Sequence, residues 1–151
     1  MSSQRIVELV SQLLEKLDLD AAIEERSLPE MSIPHLNIMA DEPRLLIGSR
    51  GEHLLALEYL VKRILEKESP DERIGFLLDV NGYRLRKIEA LKAEAKTMAK
   101  KVRLYRKELP LKPMSPFERR IVHVALATYP DISTESIGQG TSRRVVIKPY
   151  P

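Results

Sequence analysis

With 151 residues, 43% of them hydrophobic and 31% charged, the chain is long enough for one packed domain or two small ones, which excludes a disordered polymer. The lack of cysteine excludes disulfide staples, thiolate catalysis and cysteine-based zinc sites, and a reducing cytoplasm is expected. The formal charge of +3 hides a segregation: residues 1–81 hold 9 Lys/Arg against 16 Asp/Glu, net −7, and residues 82–151 hold 16 against 6, net +10, which suits a polyanion-binding second half.

The first segment places Ile6, Leu9, Val10, Leu13, Leu14 and Leu17 at three- and four-residue spacing, predicting a core-packing helix. Glu8, Glu15 and Asp18 interrupt it, so it lacks the apolar run of a signal peptide, and no stretch reaches the ~20 apolar residues of a transmembrane segment. Two extended segments are expected near 20–28 and 32–40, the second with Leu36, Ile38 and Ala40 on one side and His35, Asn37 and Met39 on the other. A short helical piece should start at Glu42-Pro43, stop at Gly48-Ser49-Arg50-Gly51, and give way to a helix over about 52–66 whose apolar set is Leu54, Leu55, Leu57, Val61, Ile64 and Leu65. Alternation of Ile74, Phe76, Leu78 and Val80 predicts a third strand.

A long linking helix is expected over about 83–107, with Leu85, Ile88, Leu91, Ala95, Met98, Val102 and Tyr105 on one face beside a basic stripe of Lys92, Lys96, Lys100, Arg103 and Lys107. Pro110 and Pro113 end it, and Ser115-Pro116-Phe117-Glu118 marks the next helix with an N-cap serine, proline in the first turn and glutamate at the capping-box position. A Gly138-Gln139-Gly140 turn then precedes a strand over 143–148, closed by Pro149. The expected class is α+β: an N-terminal α-β-β-α-α-β domain over 1–81 and a smaller α+β domain over 82–151.

Two motifs carry chemistry. Gly48, Ser49, Arg50 and Gly51 form a Gly-x-x-Gly turn between two helices, flanked by Leu46, Ile47, Leu54 and Leu55, which would floor a groove. Glycine lets a sugar–phosphate backbone approach, the following helix offers unpaired N–H groups, and Arg50 adds charge. The spacing fits neither a Walker loop nor a dinucleotide fingerprint. The expected order of elements around it resembles that of the type II KH fold, in which such a loop clamps a nucleic-acid backbone. The second motif is Arg119-Arg120-Ile121-Val122-His123, with Arg119 and His123 one turn apart on a polar helix face. Arg144, Val146 and Lys148 share one side of the last strand, opposite Val145 and Ile147, so that Arg144 and Lys148 are expected to join one cationic patch, and Arg143 is a further candidate contact.

Arg119-x-x-x-His123 after Pro113-Met114-Ser115-Pro116-Phe117-Glu118, followed by Arg143-Arg144-Val145-Val146-Ile147, closely resembles the R-3-H domain, whose family binds single-stranded nucleic acid. Together with the Leu46–Leu60 block, the chain resembles over nearly its whole length the bacterial Jag family, also called KhpB or SpoIIIJ-associated proteins, in which a type II KH domain precedes an R-3-H domain. Longer Jag proteins carry a further N-terminal domain and a polar linker, so the resemblance implies a short form without them, and Ser49 stands where relatives often carry a basic residue. The resemblance implies single-stranded RNA or DNA as ligand, a small KH-domain protein as partner and a peripheral link to the membrane-insertion machinery.

His35, His53 and His123 fall on different elements with no metal-binding spacing, so no catalytic set, metal or cofactor is expected. The expected function is a non-enzymatic nucleic-acid-binding regulator. The alternative is an adaptor whose acidic KH half docks on a partner, leaving nucleic acid to the basic half.

Overall fold

The computed structural model describes residues 1–151. The chain divides into two compact units, Met1–Leu85 and Arg86–Pro151. The first follows the expected order: α1 (Ser3–Lys16), β1 (Ala21–Arg26), β2 (His35–Ala40), α2 (Pro43–Ile47), a 3-10 turn at Ser49–Gly51, α3 (Glu52–Glu68) and β3 (Leu77–Val80).

Ser2 caps α1 by accepting the Arg5 N–H at 3.3 Å, and the Arg5 guanidinium reaches Glu68 at 2.6 Å, tying α1 to the end of α3. β2 lies between antiparallel β1 and parallel β3. Ile6, Val10 and Leu14 of α1, Leu54, Val61 and Leu65 of α3, and Leu36, Ile38, Leu78 and Val80 of the sheet form one buried cluster.

The other side of β2 is also buried, and it is polar. His35 and Asp79 are fully enclosed and Asn37 nearly so. Asp79 Oδ1 accepts the backbone N–H of Arg84 at 2.8 Å, and Oδ2 accepts that of Leu85 at 3.0 Å and the His35 Nε2–H at 2.9 Å. Asn37 Oδ1 accepts the Gly82 N–H at 2.9 Å. These acceptors satisfy N–H groups that a helix start cannot pair within itself, and they fix the beginning of α4 (Tyr83–Tyr105). Burial pushes the Asp79 carboxyl up, but the hydrogen bonds from His35 and from the N–H groups of Arg84, Leu85 and Val80 outweigh it and hold the group below its ordinary value.

The second unit contains most of α4, then β4 (Leu109–Pro110), α5 (Pro116–Leu126), β5 (Ile132–Ile137), a 3-10 turn at Gly140–Ser142 and β6 (Arg144–Pro149). Its sheet is antiparallel, ordered β4-β6-β5, with Thr134 opposite Ile147 and Ile137 opposite Arg144. α5 packs on β5 and β6, burying Ile121, Val122, Leu126, Ile132, Val145 and Ile147. Ser115 caps α5, accepting the Glu118 N–H at 3.2 Å while its hydroxyl donates to the Glu118 carboxylate at 3.0 Å.

Several expectations need correction. β4 and β5 are strands where none is expected, and Pro149 is the last residue of β6, not a stop outside it. The third strand begins at Leu77, so Ile74 and Phe76 precede it. Leu55 and Tyr105, expected on buried faces, are 52% and 66% exposed. Leu55 lies about 100° around α3 from its buried neighbour Leu54, and Tyr105 is the last residue of α4.

Candidate nucleic-acid interface

The Gly48–Gly51 turn is held in one shape by its glycines and by His53. Gly48 has φ +73°, and a Cβ there would lie 2.5 Å from the His53 ring. That ring is locked by its Nδ1–H, which donates to the Leu45 carbonyl at 2.8 Å, so one turn of α3 is pinned back onto α2 across the loop. Gly51 has φ +81°, and a Cβ added to it would lie 3.1 Å from the Tyr83 ring. Arg50 between them also takes a left-handed conformation, φ 55°, which a side chain adopts only at a cost. Ser49 and Arg50 are exposed. The loop therefore presents one hydroxyl and one guanidinium at the start of α3, where the helix dipole favours an anion. Leu46 and Leu54 do not floor a groove beside it. They are buried in the core, while Ile47 is half-buried and Leu55 faces solvent.

In the second unit, Arg119 is half-buried and its Nη1 donates to the Met114 carbonyl at 2.8 Å, while the Met114 N–H donates to the Arg143 carbonyl at 3.2 Å. Part of the Arg119 fork thus holds the entry to α5 against the start of β6. Arg120 and His123 are exposed, and His123 Nδ1 shares a 2.6 Å hydrogen bond with Thr134 Oγ1 on β5. The Arg143 Nε–H donates to Ser136 Oγ at 3.0 Å and Nη1 donates to the Gly138 carbonyl at 3.0 Å.

Alternation along β5 and β6 puts Thr134, Ser136, Val145 and Ile147 on the face that meets α5, and Glu135, Arg144, Val146 and Lys148 on the opposite face. The structure thus brings Arg119, His123 and Arg143 to one side and leaves Arg144 and Lys148 on the other, so the single patch expected from the strand does not form. Lys148 is further engaged by Glu135 at 2.6 Å. That contact raises the lysine's pKa and lowers the carboxylate's.

The stripe on α4 is uneven: Lys92 pairs with Glu89 at 3.2 Å, Arg103 pairs with Asp131 at 2.6 Å, Lys96 and Lys100 are exposed, and Lys107 lies past the helix end.

Thr134 and Ser136 are the residues that sequence reasoning misses. Ile132-Ser133-Thr134-Glu135-Ser136 has no apolar alternation to announce a strand. The signal that could have found them is the Gly138-Gln139-Gly140 turn, since a turn before one strand implies a partner strand before the turn.

A family model for the R-3-H domain matches residues 89–149. The chain is 35% identical over 146 residues to the RNA-binding protein KhpB of Clostridium symbiosum, covering 95% of this chain and 64% of that relative. It is 36% identical over 113 residues to the RNA-binding protein KhpB of Bacillus subtilis, covering 74% of this chain and 54% of the relative. Against the protein of that name from Streptococcus pneumoniae serotype 2 it is 26% identical over 142 residues, covering 94% and 42%. The chain thus spans between 42% and 64% of the length of these curated relatives.

Proposed function

Since the chain belongs to the KhpB (Jag) family and carries an R-3-H domain at residues 89–149, we propose that it is a cytoplasmic, non-enzymatic regulator that binds single-stranded RNA. Its KH-like module is residues 1–81 and its R-3-H module residues 82–151. In the first, Gly48, Ser49, Arg50 and Gly51 receive the sugar–phosphate backbone. In the second, Arg119, Arg120, His123 and Arg143 form the contacting face, and Arg144 and Lys148 supply charge on the opposite side of the sheet. The relatives' name supports RNA over DNA as the ligand.

The observation that carries the reading is the Gly48–Gly51 loop. Its two left-handed glycines and the locked His53 ring hold an exposed cation at the start of a 17-residue helix, and such a terminus favours phosphate. The three histidines support binding over chemistry: His35 is tied to Asp79, His53 to a carbonyl and His123 to a hydroxyl, so none pairs with a second acid–base group near an exposed nucleophile. Fluorescence anisotropy with labelled single-stranded RNA and DNA of equal length tests the reading. Saturable RNA binding that weakens with salt is expected, and failure to bind either polymer overturns it.

A second reading is favoured by one observation. Leu45, Leu55, Tyr59 and Leu60 of α2 and α3 are each 47% or more exposed, on the acidic unit that bulk charge suits least for RNA. This surface supports an adaptor role in which the KH-like module docks on a small KH-domain protein. A peripheral link to the membrane-insertion machinery would run through such a protein contact, as no helix is long and apolar enough to cross a membrane.

A further inference from the structure

We propose that β5 is a recognition strand, in which Thr134 and Ser136 hold His123 and Arg143 side by side so that the pair takes two consecutive phosphates of an extended RNA strand. The proposal rests on the RNA-binding reading above and adds two residues to it.

Thr134 and Ser136 are two positions apart on one face of β5, so their side chains emerge about 7 Å apart along the strand. Each hydroxyl holds a different side chain: Thr134 Oγ1 is 2.6 Å from His123 Nδ1 and Ser136 Oγ is 3.0 Å from Arg143 Nε. In both side chains the nitrogens nearer the strand are occupied. His123 uses Nδ1, and Arg143 uses Nε and Nη1, the latter on the Gly138 carbonyl. His123 Nε2 and Arg143 Nη2 are the donors that the fold does not use. His123 is exposed and Arg143 half-buried, and β5 is an edge strand of its sheet, so a second polymer can run alongside.

A site for one anion would turn both side chains toward a single point. Here they are anchored one β-repeat apart, which suits an anion that itself repeats along a chain. Fixing the rotamers in advance also removes ordering cost from binding. For His123 the hydroxyl has a second effect: with the Thr134 O–H donating to Nδ1, the neutral ring carries its proton on Nε2, where it meets phosphate. Thr134 and Ser136 are thus positioning residues for the two phosphate contacts.

The test uses the full chain and single-stranded RNA. Thr134→Val keeps the shape and removes the hydroxyl, Ser136→Ala does the same at an exposed position, and Thr134→Ser restores the hydroxyl alone. We expect Thr134→Val and Ser136→Ala each to weaken binding by roughly five- to tenfold, and Ser136→Ala, which loosens the charged Arg143, also to flatten the log–log salt slope by up to about 0.7. Thr134→Ser should stay within about twofold of the unsubstituted chain, since it keeps the hydroxyl. Neutral methylphosphonate at two adjacent linkages of the RNA should cost the unsubstituted chain more than it costs Ser136→Ala.

Unchanged affinity and salt slope in Ser136→Ala and in folded Thr134→Val overturn the proposal and leave RNA binding standing. If Thr134→Ser binds as poorly as Thr134→Val, the methyl and not the hydroxyl matters, and the proposal also falls. If Thr134→Val does not fold, Ser136→Ala and Thr134→Ser decide. If the unsubstituted chain binds no single-stranded RNA, both readings fail together.

Discussion

The His35 Nε2–H donates to the Asp79 carboxylate at 2.9 Å, and neither side chain is exposed to solvent. The same carboxylate accepts the first-turn N–H groups of Arg84 and Leu85, so one residue at the end of β3 closes the sheet's polar side and starts the longest helix. Asp79→Ala would remove the acceptor of His35 and of three backbone donors, the N–H groups of Val80, Arg84 and Leu85. It should cost roughly 2–4 kcal/mol by urea unfolding, combining a lost cap with buried groups left unpaired. Because the folded carboxyl titrates below its ordinary value, its contribution is complete above the unfolded pKa of about 3.9 and is lost as pH falls through the folded value. Unfolding free energy measured from pH 7 down to about pH 3 should therefore drop at the acid end in the unsubstituted chain and drop less in Asp79→Asn.

Arg50 allows stability and binding to be separated in the first motif. Gly51 does not, because it is buried, left-handed and close to Tyr83, so an aspartate there would strain the loop as well as repel phosphate. Arg50→Gly relieves the left-handed backbone and removes only an exposed side chain. It should leave stability unchanged or raise it by up to about 1 kcal/mol, while RNA affinity falls and the salt slope flattens by about 0.7. By contrast, Gly48→Ala should lower the melting temperature by several degrees, as its Cβ collides with a ring already fixed to the Leu45 carbonyl.

How legible each element was follows from where its determinants lie. The start of α5 could be read because Ser115, Pro116 and Glu118 act within four residues. The His35–Asp79 contact joins residues 44 apart and leaves no trace in local spacing. Alternation correctly sets Arg144 and Lys148 on one side of the last strand, but which side α5 covers is decided by Val145 and Ile147, buried with Ile121 and Leu126. Arg119 and His123 could be read as a pair from their spacing. Their second partners, Met114 and Thr134, could not, since one is a carbonyl and the other lies on a strand with no apolar signature.

Lys148 and Arg143 are five residues apart and should behave oppositely. Lys148 is held by Glu135 on the face away from α5, whereas Arg143 is braced beside Ser136 on the face that carries His123. Lys148→Ala should change RNA affinity by less than about twofold, as an engaged exposed cation contributes little. Arg143→Ala should weaken it roughly tenfold, the loss of one charge-assisted hydrogen bond to phosphate. Equal losses in a titration at fixed salt would show that both sheet faces meet RNA.

Arg119 and His123 share a helix face one turn apart, but the structure gives Arg119 two tasks. Its Nη1 holds the Met114 carbonyl, and the rest of the fork is the planar, permanently charged donor that suits phosphate. Arg119→Ala should therefore lower both the melting temperature and the RNA affinity. Removing the half-buried hydrogen bond should cost about 1 kcal/mol of stability. Affinity must be measured well below the melting transition, so that the folded fraction is the same in every variant. His123→Ala gives up one exposed hydrogen bond to Thr134 and should scarcely change stability. A double-mutant cycle separates the shared task from the separate ones. If both side chains meet one RNA phosphate, their coupling in binding should be roughly 0.5–3 kcal/mol, whereas independent contacts should add to within about 0.5 kcal/mol. The same cycle run on urea unfolding should show no coupling, because Met114 and Thr134 are different partners. Coupling in stability without coupling in binding would mean that the one-turn spacing serves the fold of α5 and not the RNA.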